Sequence, residues 1–198
     1  MPAGDGSVTT LGPHFAEAVQ WASALHRDQA RKATRIPYVS HLLSVAALVL
    51  EGGGTETEAI AAALHDSIED LGVTREEIAR YFGDDVAEIV AGCTDELDAG
   101  APRDASNWHA RKEWYLSHLD EPATSESVLR VSAADKVHNA RSIVSELRRG
   151  EDLWSRFNAG RDDELWYYRS LVDVFDRRLG GPLAEELRAT VSEMERLA

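Results

Sequence analysis

Apolar residues recur along most of this chain every three or four positions, the spacing that lays one apolar stripe down an α-helix. From His14 to His26 the stripe is Phe15, Ala18, Val19, Ala22 and Leu25. A polar, basic loop over Arg27–Pro37 follows. Ser40 then opens an apolar helix that runs to Leu50 and is stopped by Gly52-Gly53-Gly54. Thr55 with Glu58, and Thr74 with Glu77, have the spacing at which a hydroxyl and a carboxylate satisfy the free amides of a helix start. They predict helices across Ala59–Asp70 and Arg75–Phe82. Further helices are expected over Asp84–Cys93, Trp108–Leu119, Ser125–Arg149, Trp154–Leu179 (one or two) and Pro182–Leu197, with a flexible loop over Asp98–Ser106. No period-two stretch of useful length and no internal repeat appears. The chain reads as a disordered lead over 1–13 and a single all-α domain, a multi-helix bundle, over 14–198.

Composition narrows the picture. A chain of 198 residues has room for one sizeable domain, able to bury roughly 70% of its unfolded surface without disulfides. The single cysteine, Cys93, sits in an apolar run and is expected to be a buried, inert thiol. That usage suits a reducing cytoplasm. No apolar run approaches the roughly 20 residues needed to cross a bilayer, and the lead lacks the features of a signal peptide. A formal net charge of −14 disfavours binding to nucleic acid polymers. It would also repel an anionic small substrate unless a local patch or a metal inverts the field.

One segment breaks the apolar pattern. Ile60-Ala61-Ala62-Ala63-Leu64 runs straight into His65-Asp66, then Ile68 and Glu69-Asp70. On a helix His65 stacks with Glu69, and Asp66 with Asp70. A second ionisable group interrupts an apolar helix downstream, where Asp135-Lys136 is followed one turn later by Asn139. A third element, Pro37-Tyr38-Val39-Ser40-His41, puts a histidine at a helix start. Alone, each is ordinary, since such a histidine is usually a cap and an Asp-Lys pair usually a solvated face. Together they supply the imidazoles and carboxylates that suit a hard-to-borderline divalent ion.

The ordered set His41, His65-Asp66, Asp135 resembles the metal signature of the HD phosphohydrolase superfamily. More narrowly, the chain is similar to the hydrolase domain of RelA/SpoT-type proteins and the small alarmone hydrolases. The resemblance spans about Phe15 to Arg178 and is carried by His26-Arg27-Asp28-Gln29-Ala30-Arg31-Lys32, Pro37–His41, Ala61–Asp70 with its Glu-Asp pair, and Ala134–Asn139. It implies hydrolysis of the 3′-pyrophosphate of guanosine tetra- and pentaphosphate, with His41, His65, Asp66 and Asp135 holding Mn²⁺ (Fe²⁺ and Co²⁺ would also suit this set). It implies Glu69 and Asp70 as the groups that position or deprotonate water, Asn139 at the ribose or phosphate, and Arg31 at the base or its phosphates. Lys32, Lys112 and Arg141 are further candidates for a locally positive wall, while Arg35 and Arg111 read as solvent-exposed charges. His26 reads as a solvent-facing or substrate-rim residue and not as a ligand. Leu42 and Ser132 stand where the family usually has proline and lysine. Other phosphorylated nucleotides, such as an adenine alarmone, a nucleoside monophosphate or a 2′-phosphorylated dinucleotide, would be served by the same centre, and a silent nucleotide-binding domain is the reading from another class. The aromatic stretch Trp154–Phe175 has two readings, a helix packed on the core and rings stacked on a purine; the C-terminal helices could also pair with a second copy.

Overall fold

The structure, a computed structural model, describes residues 8–32, 34–94, 106–151, 153–157 and 159–198. Residues 1–7 of the expected lead and most of the loop expected over 98–106 lie outside these. Among the described residues the fold is all-helical. In chain order the helices are α1 (Pro13–Leu25), α2 (Val39–Glu51), α3 (Glu56–Leu64), α4 (Ser67–Leu71), α5 (Arg75–Phe82), α6 (Asp84–Cys93), α7 (Trp108–Asp120), α8 (Glu126–Arg148), α9 (Arg161–Arg178) and α10 (Gly181–Leu197). A 3₁₀ turn covers Trp154–Arg156, and one antiparallel bridge joins Ala30 to Pro37 in the basic loop. None of these helices is long and apolar enough to cross a membrane.

Two helices organise the rest. α8 packs against α2, α3, α6, α9 and α10, and α3 packs against α1, α2, α6 and α8. Every residue of α3 from Glu58 to Leu64 is buried. A helix apolar all round belongs in the middle of a bundle, and its run of alanines lets neighbours approach closely. Thr55 starts α3 with both capping-box bonds made, its hydroxyl accepting from the Glu58 amide and the Glu58 carboxylate accepting from the Thr55 amide. Glu58 is buried with Arg130 of α8, whose Nε donates to it at 3.1 Å. Thr74 and Glu77 cap α5 in the same way, and Ser125 caps α8. Thr9 and Gly12 hydrogen-bond to Gly54 and Glu56 at the entry to α3.

The helix expected over Ala59–Asp70 is two helices. α3 ends at Leu64, His65 and Asp66 form a turn, and α4 begins at Ser67. The Ser67 hydroxyl donates to the Leu64 carbonyl at 2.6 Å, a side-chain bond that competes with the helical ladder. The break falls at His65 and Asp66, and Asp66 starts α4, its carbonyl accepting from the Asp70 amide at 2.8 Å.

The aromatic C-terminal stretch does cover the core: Tyr167, Tyr168, Leu171 and Phe175 of α9 are buried. Cys93 is buried as expected, its thiol pushed up to about 11 chiefly by burial. Removing the α3 cap with Thr55→Ala should cost about 1 kcal/mol and lower the melting temperature by roughly 2–4 °C, leaving turnover at moderate temperature unchanged. Thermal denaturation beside an activity assay checks both.

Candidate metal centre and substrate cavity

His41 comes from the first turn of α2, His65 and Asp66 from the break between α3 and α4, and Asp135 from the middle of α8. These side chains, distant in sequence, converge. His41 Nε2 lies 3.5 Å from Asp66 Oδ2 and 3.2 Å from Asp135 Oδ1. His65 Nε2 lies 3.0 Å from Asp66 Oδ2 and 3.7 Å from Asp135 Oδ1. One ligand atom each from His41, His65 and Asp66 falls within 4.8 Å of the others. A first-row ion with ligand bonds of about 2.1 Å needs neighbouring ligand atoms roughly 3 Å apart or a little more.

The donor set fits such an ion. His65 Nδ1 is 2.8 Å from the Ala62 carbonyl oxygen, which can only accept, so Nδ1 carries the proton. When neutral, His65 therefore turns a lone pair on Nε2 toward two carboxylates, and nothing else within hydrogen-bond reach partners that buried nitrogen. Burial alone would favour neutral acids. The charge of His65 beside Asp66, and of Lys136 beside Asp135, outweighs it and holds both carboxyls well below their ordinary range. Lone pairs and negative charge thus meet at one buried point. A proton on His65 answers part of that demand: burial of the ring opposes it, but Asp66 and Asp135 raise the ring above the usual imidazole value. A divalent cation answers all of it.

The carboxylates are held in turn, as metal-site carboxylates generally are. The Tyr38 hydroxyl donates to Asp66 Oδ2 at 2.6 Å. Burial first, and then Asp66, keep that phenol protonated far above neutral pH. Lys136 donates to Asp135 Oδ2 at 2.7 Å and Asn139 Nδ2 to Asp135 Oδ1 at 2.6 Å. Glu69 and Asp70 line the same cavity. Asp70 accepts from Gln29 Nε2 at 2.7 Å, and Gln29 is bonded through Oε1 to His26 Nδ1 at 2.5 Å.

Beside this centre lies a cavity of about 350 Å³, sharing Tyr38, Lys112, Lys136 and Asn139 with it. Its walls carry Arg31, Lys32, Lys112, Lys136 and Arg156 against Glu146 and Glu164, the local positive surface that an acidic chain needs to receive an anion. Trp108, Phe157, Tyr167 and Tyr168 also line the cavity, and Lys112 Nζ stands 4.7 Å over the Tyr167 ring. The aromatic stretch therefore serves both as core cover and as cavity wall.

Several sequence expectations need correction. Arg141 does not line this cavity; it is half-exposed and paired with Glu186 of α10, because its place on α8 turns it toward that helix. Arg111 is buried rather than solvent-exposed, with its Nε 3.3 Å from Asn107 Oδ1. His26 is only 2% exposed and stacks on Tyr38, so it underpins the rim instead of forming it. Two functional candidates escaped the sequence reading. Tyr38 was legible only as the neighbour of His41. Glu164, in the first turn of α9, has the signature of an acid favouring a helix N-terminus, and nothing in the sequence marks it as a cavity residue.

A helical bundle whose His, His-Asp and Asp side chains meet at one buried, cation-demanding point beside a basic cavity defines a metal-binding domain suited to phosphorylated ligands. The chain belongs to the HD domain family, whose model matches residues 18–163. It is 38% identical over 130 residues to guanosine-3′,5′-bis(diphosphate) 3′-pyrophosphohydrolase MESH1 of Xenopus tropicalis, across 64% of this chain and 68% of that one. It is 33% identical over 126 residues to a probable GTP pyrophosphokinase of Mycobacterium leprae, a match that spans 15% of that longer protein. A solved structure described as a metazoan ortholog of SpoT that hydrolyzes ppGpp superposes with a TM-score of 0.74 at 27% identity, covering 93% of this chain and 97% of the other.

Glu164 yields a pH-dependent prediction. It is buried, and burial, only partly opposed by Lys112 and Lys32, pushes its carboxyl up from 4.5 to about 7. Between those values the folded protein keeps a proton that the unfolded chain has released, so stability falls as pH rises through the window and levels off above it. Glu164→Gln removes that loss. The variant should gain on the wild type by about 2–3 kcal/mol between pH 4.5 and pH 8, as read from denaturant unfolding at the two pH values.

Proposed function

We propose that this chain hydrolyses the 3′-pyrophosphate of guanosine tetra- and pentaphosphate, giving GDP or GTP and pyrophosphate, with a divalent ion, Mn²⁺ first among the candidates. The observation that carries the reading is the convergence of His41, His65, Asp66 and Asp135 directly beside the basic, aromatic-walled cavity. The similarity to a guanosine-bis(diphosphate) 3′-pyrophosphohydrolase over most of both chains supports the substrate class.

A divalent ion held by the four ligands supplies Lewis-acid activation of water and offsets phosphate charge. The chain's own groups do the rest. Glu69 and Asp70, at the edge of the metal cavity, are the carboxylates in place to take the proton of the attacking water. Gln29 holds Asp70 by its amide, which fixes the direction of that carboxylate. Lys112 and Lys136 stand on the wall common to both cavities, and on this reading they receive the transferring pyrophosphate. Arg31 and Lys32 face the rest of the nucleotide, and the rings of Trp108, Tyr167, Tyr168 and Phe157 offer apolar surface to a base. Water adds to phosphorus, the ester bond to the ribose 3′ oxygen breaks, and that oxygen takes up a proton.

The deciding experiment is pyrophosphate release from guanosine tetraphosphate by metal-stripped protein, with and without added Mn²⁺. Mn²⁺-dependent release leaving GDP is the expected result; no release by protein shown to hold Mn²⁺ would send the site to another phosphorylated nucleotide. Asp66→Ala should lose metal and turnover together. Glu69→Ala should keep the metal and lose turnover by about 10²–10⁴-fold, the usual worth of a general base. Full activity in Glu69→Ala would remove this residue from the water-activating pair.

A further inference from the structure

The His41 ring is hydrogen-bonded to a residue that lines neither cavity, His138. Arg31 Nη1 lies 3.3 Å from His138 Nδ1. A guanidinium can only donate, so this nitrogen of His138 presents its lone pair. His41 Nδ1 lies 2.8 Å from the same atom and must therefore be the donor of that pair. Neutral His41 is thereby left with a lone pair on Nε2, the nitrogen that faces Asp66 and Asp135 at 3.5 and 3.2 Å. The same arginine reaches a second ligand by another branch. Arg31 Nη2 donates to Asn139 Oδ1 at 3.0 Å, which turns the Asn139 amide nitrogen onto Asp135 Oδ1 at 2.6 Å.

We propose that His138 is a positioning residue for the metal centre: it accepts the Nδ1 proton of His41 and so holds that ring in the ligating tautomer and orientation, while Arg31, from the wall of the substrate cavity, holds His138. Metal-ligating histidines generally direct their second nitrogen to a carboxylate, a carbonyl or water. Here an uncharged imidazole does that work, and its acceptor state is set by an arginine that also lines the nucleotide cavity. Metal affinity therefore depends on two residues outside the ligand set. By linkage, a phosphorylated ligand that engages Arg31 changes that affinity, and metal changes the ligand's affinity by the same factor.

The inference rests on the metal reading of the four-residue centre and not on the identity of the substrate, so the test uses metal alone. Mn²⁺ is titrated into stripped wild type, His138→Phe, His138→Asn and Arg31→Ala, with free Mn²⁺ followed by electron paramagnetic resonance. Asparagine keeps an acceptor near the position of Nδ1 and phenylalanine does not. His138→Phe should weaken Mn²⁺ by about 10–100-fold, His138→Asn should stay within a few-fold of wild type, and Arg31→Ala should be weaker than wild type. Unchanged affinity in His138→Phe overturns the proposal, as does an equal loss in His138→Asn with its fold intact by circular dichroism. If His138→Phe does not fold, Arg31→Ala decides: a loss of affinity supports the relay, and wild-type affinity overturns it. No Mn²⁺ binding by the wild type would sink the metal reading itself, a different failure from any of these.

Discussion

Two carboxylates and two imidazole lone pairs brought to one buried point set the terms for the rest of this structure. Such an arrangement is unfavourable unless positive charge sits among them. Much of the surrounding architecture reads as the means of holding it. Tyr38 ties down Asp66, while Lys136 and Asn139 each take one oxygen of Asp135. The alanine-rich α3 sits at the centre of the bundle, so that its C-terminal end delivers His65 and Asp66 against α2 and α8. The turn after Leu64 then separates His65-Asp66 from the carboxylates of α4. Adjacent residues can converge on one ion while Glu69 and Asp70 remain at the cavity edge.

Charge is partitioned as sharply as burial. The molecule as a whole carries −14, yet among the charged residues that line the cavity beside the metal centre cations outnumber acids. Several of the remaining arginines are spent elsewhere in ion pairs: Arg141 with Glu186, Arg148 with Glu193, Arg177 with Asp120. Exposed pairs of this kind contribute little stability. The result is a hollow richer in cations than in acids on an acidic molecule, which favours small anions over long polyanions. Glu164 is the buried acid within that hollow, and burial raises its pKa although the neighbouring lysines pull it down.

Arg31 connects the two halves of the site. It lines the basic cavity, and through His138 and Asn139 it reaches His41 and Asp135, two of the proposed metal ligands. On the proposed reading, binding of metal and of nucleotide would be one coupled event, carried by Arg31, His138, His41, Asn139 and Asp135.

The sequence by itself determined the fold class and most helix boundaries, because apolar periodicity and the Thr55–Glu58 and Thr74–Glu77 capping pairs are local signals. It also supplied the order His41, His65-Asp66, Asp135, because ionisable residues interrupting apolar helices are visible without coordinates. Tertiary structure alone decided which cations face the cavity. Lys112 and Arg141 look alike as sequence, and only the packing of α8 against α10 turns Arg141 away. It alone buried His26, Arg111 and Glu164, and it made His138 the partner of His41. Hydrogen bonds between residues 97 and 107 positions apart leave no periodic trace along a chain; they exist only once α2, the basic loop and α8 have packed together.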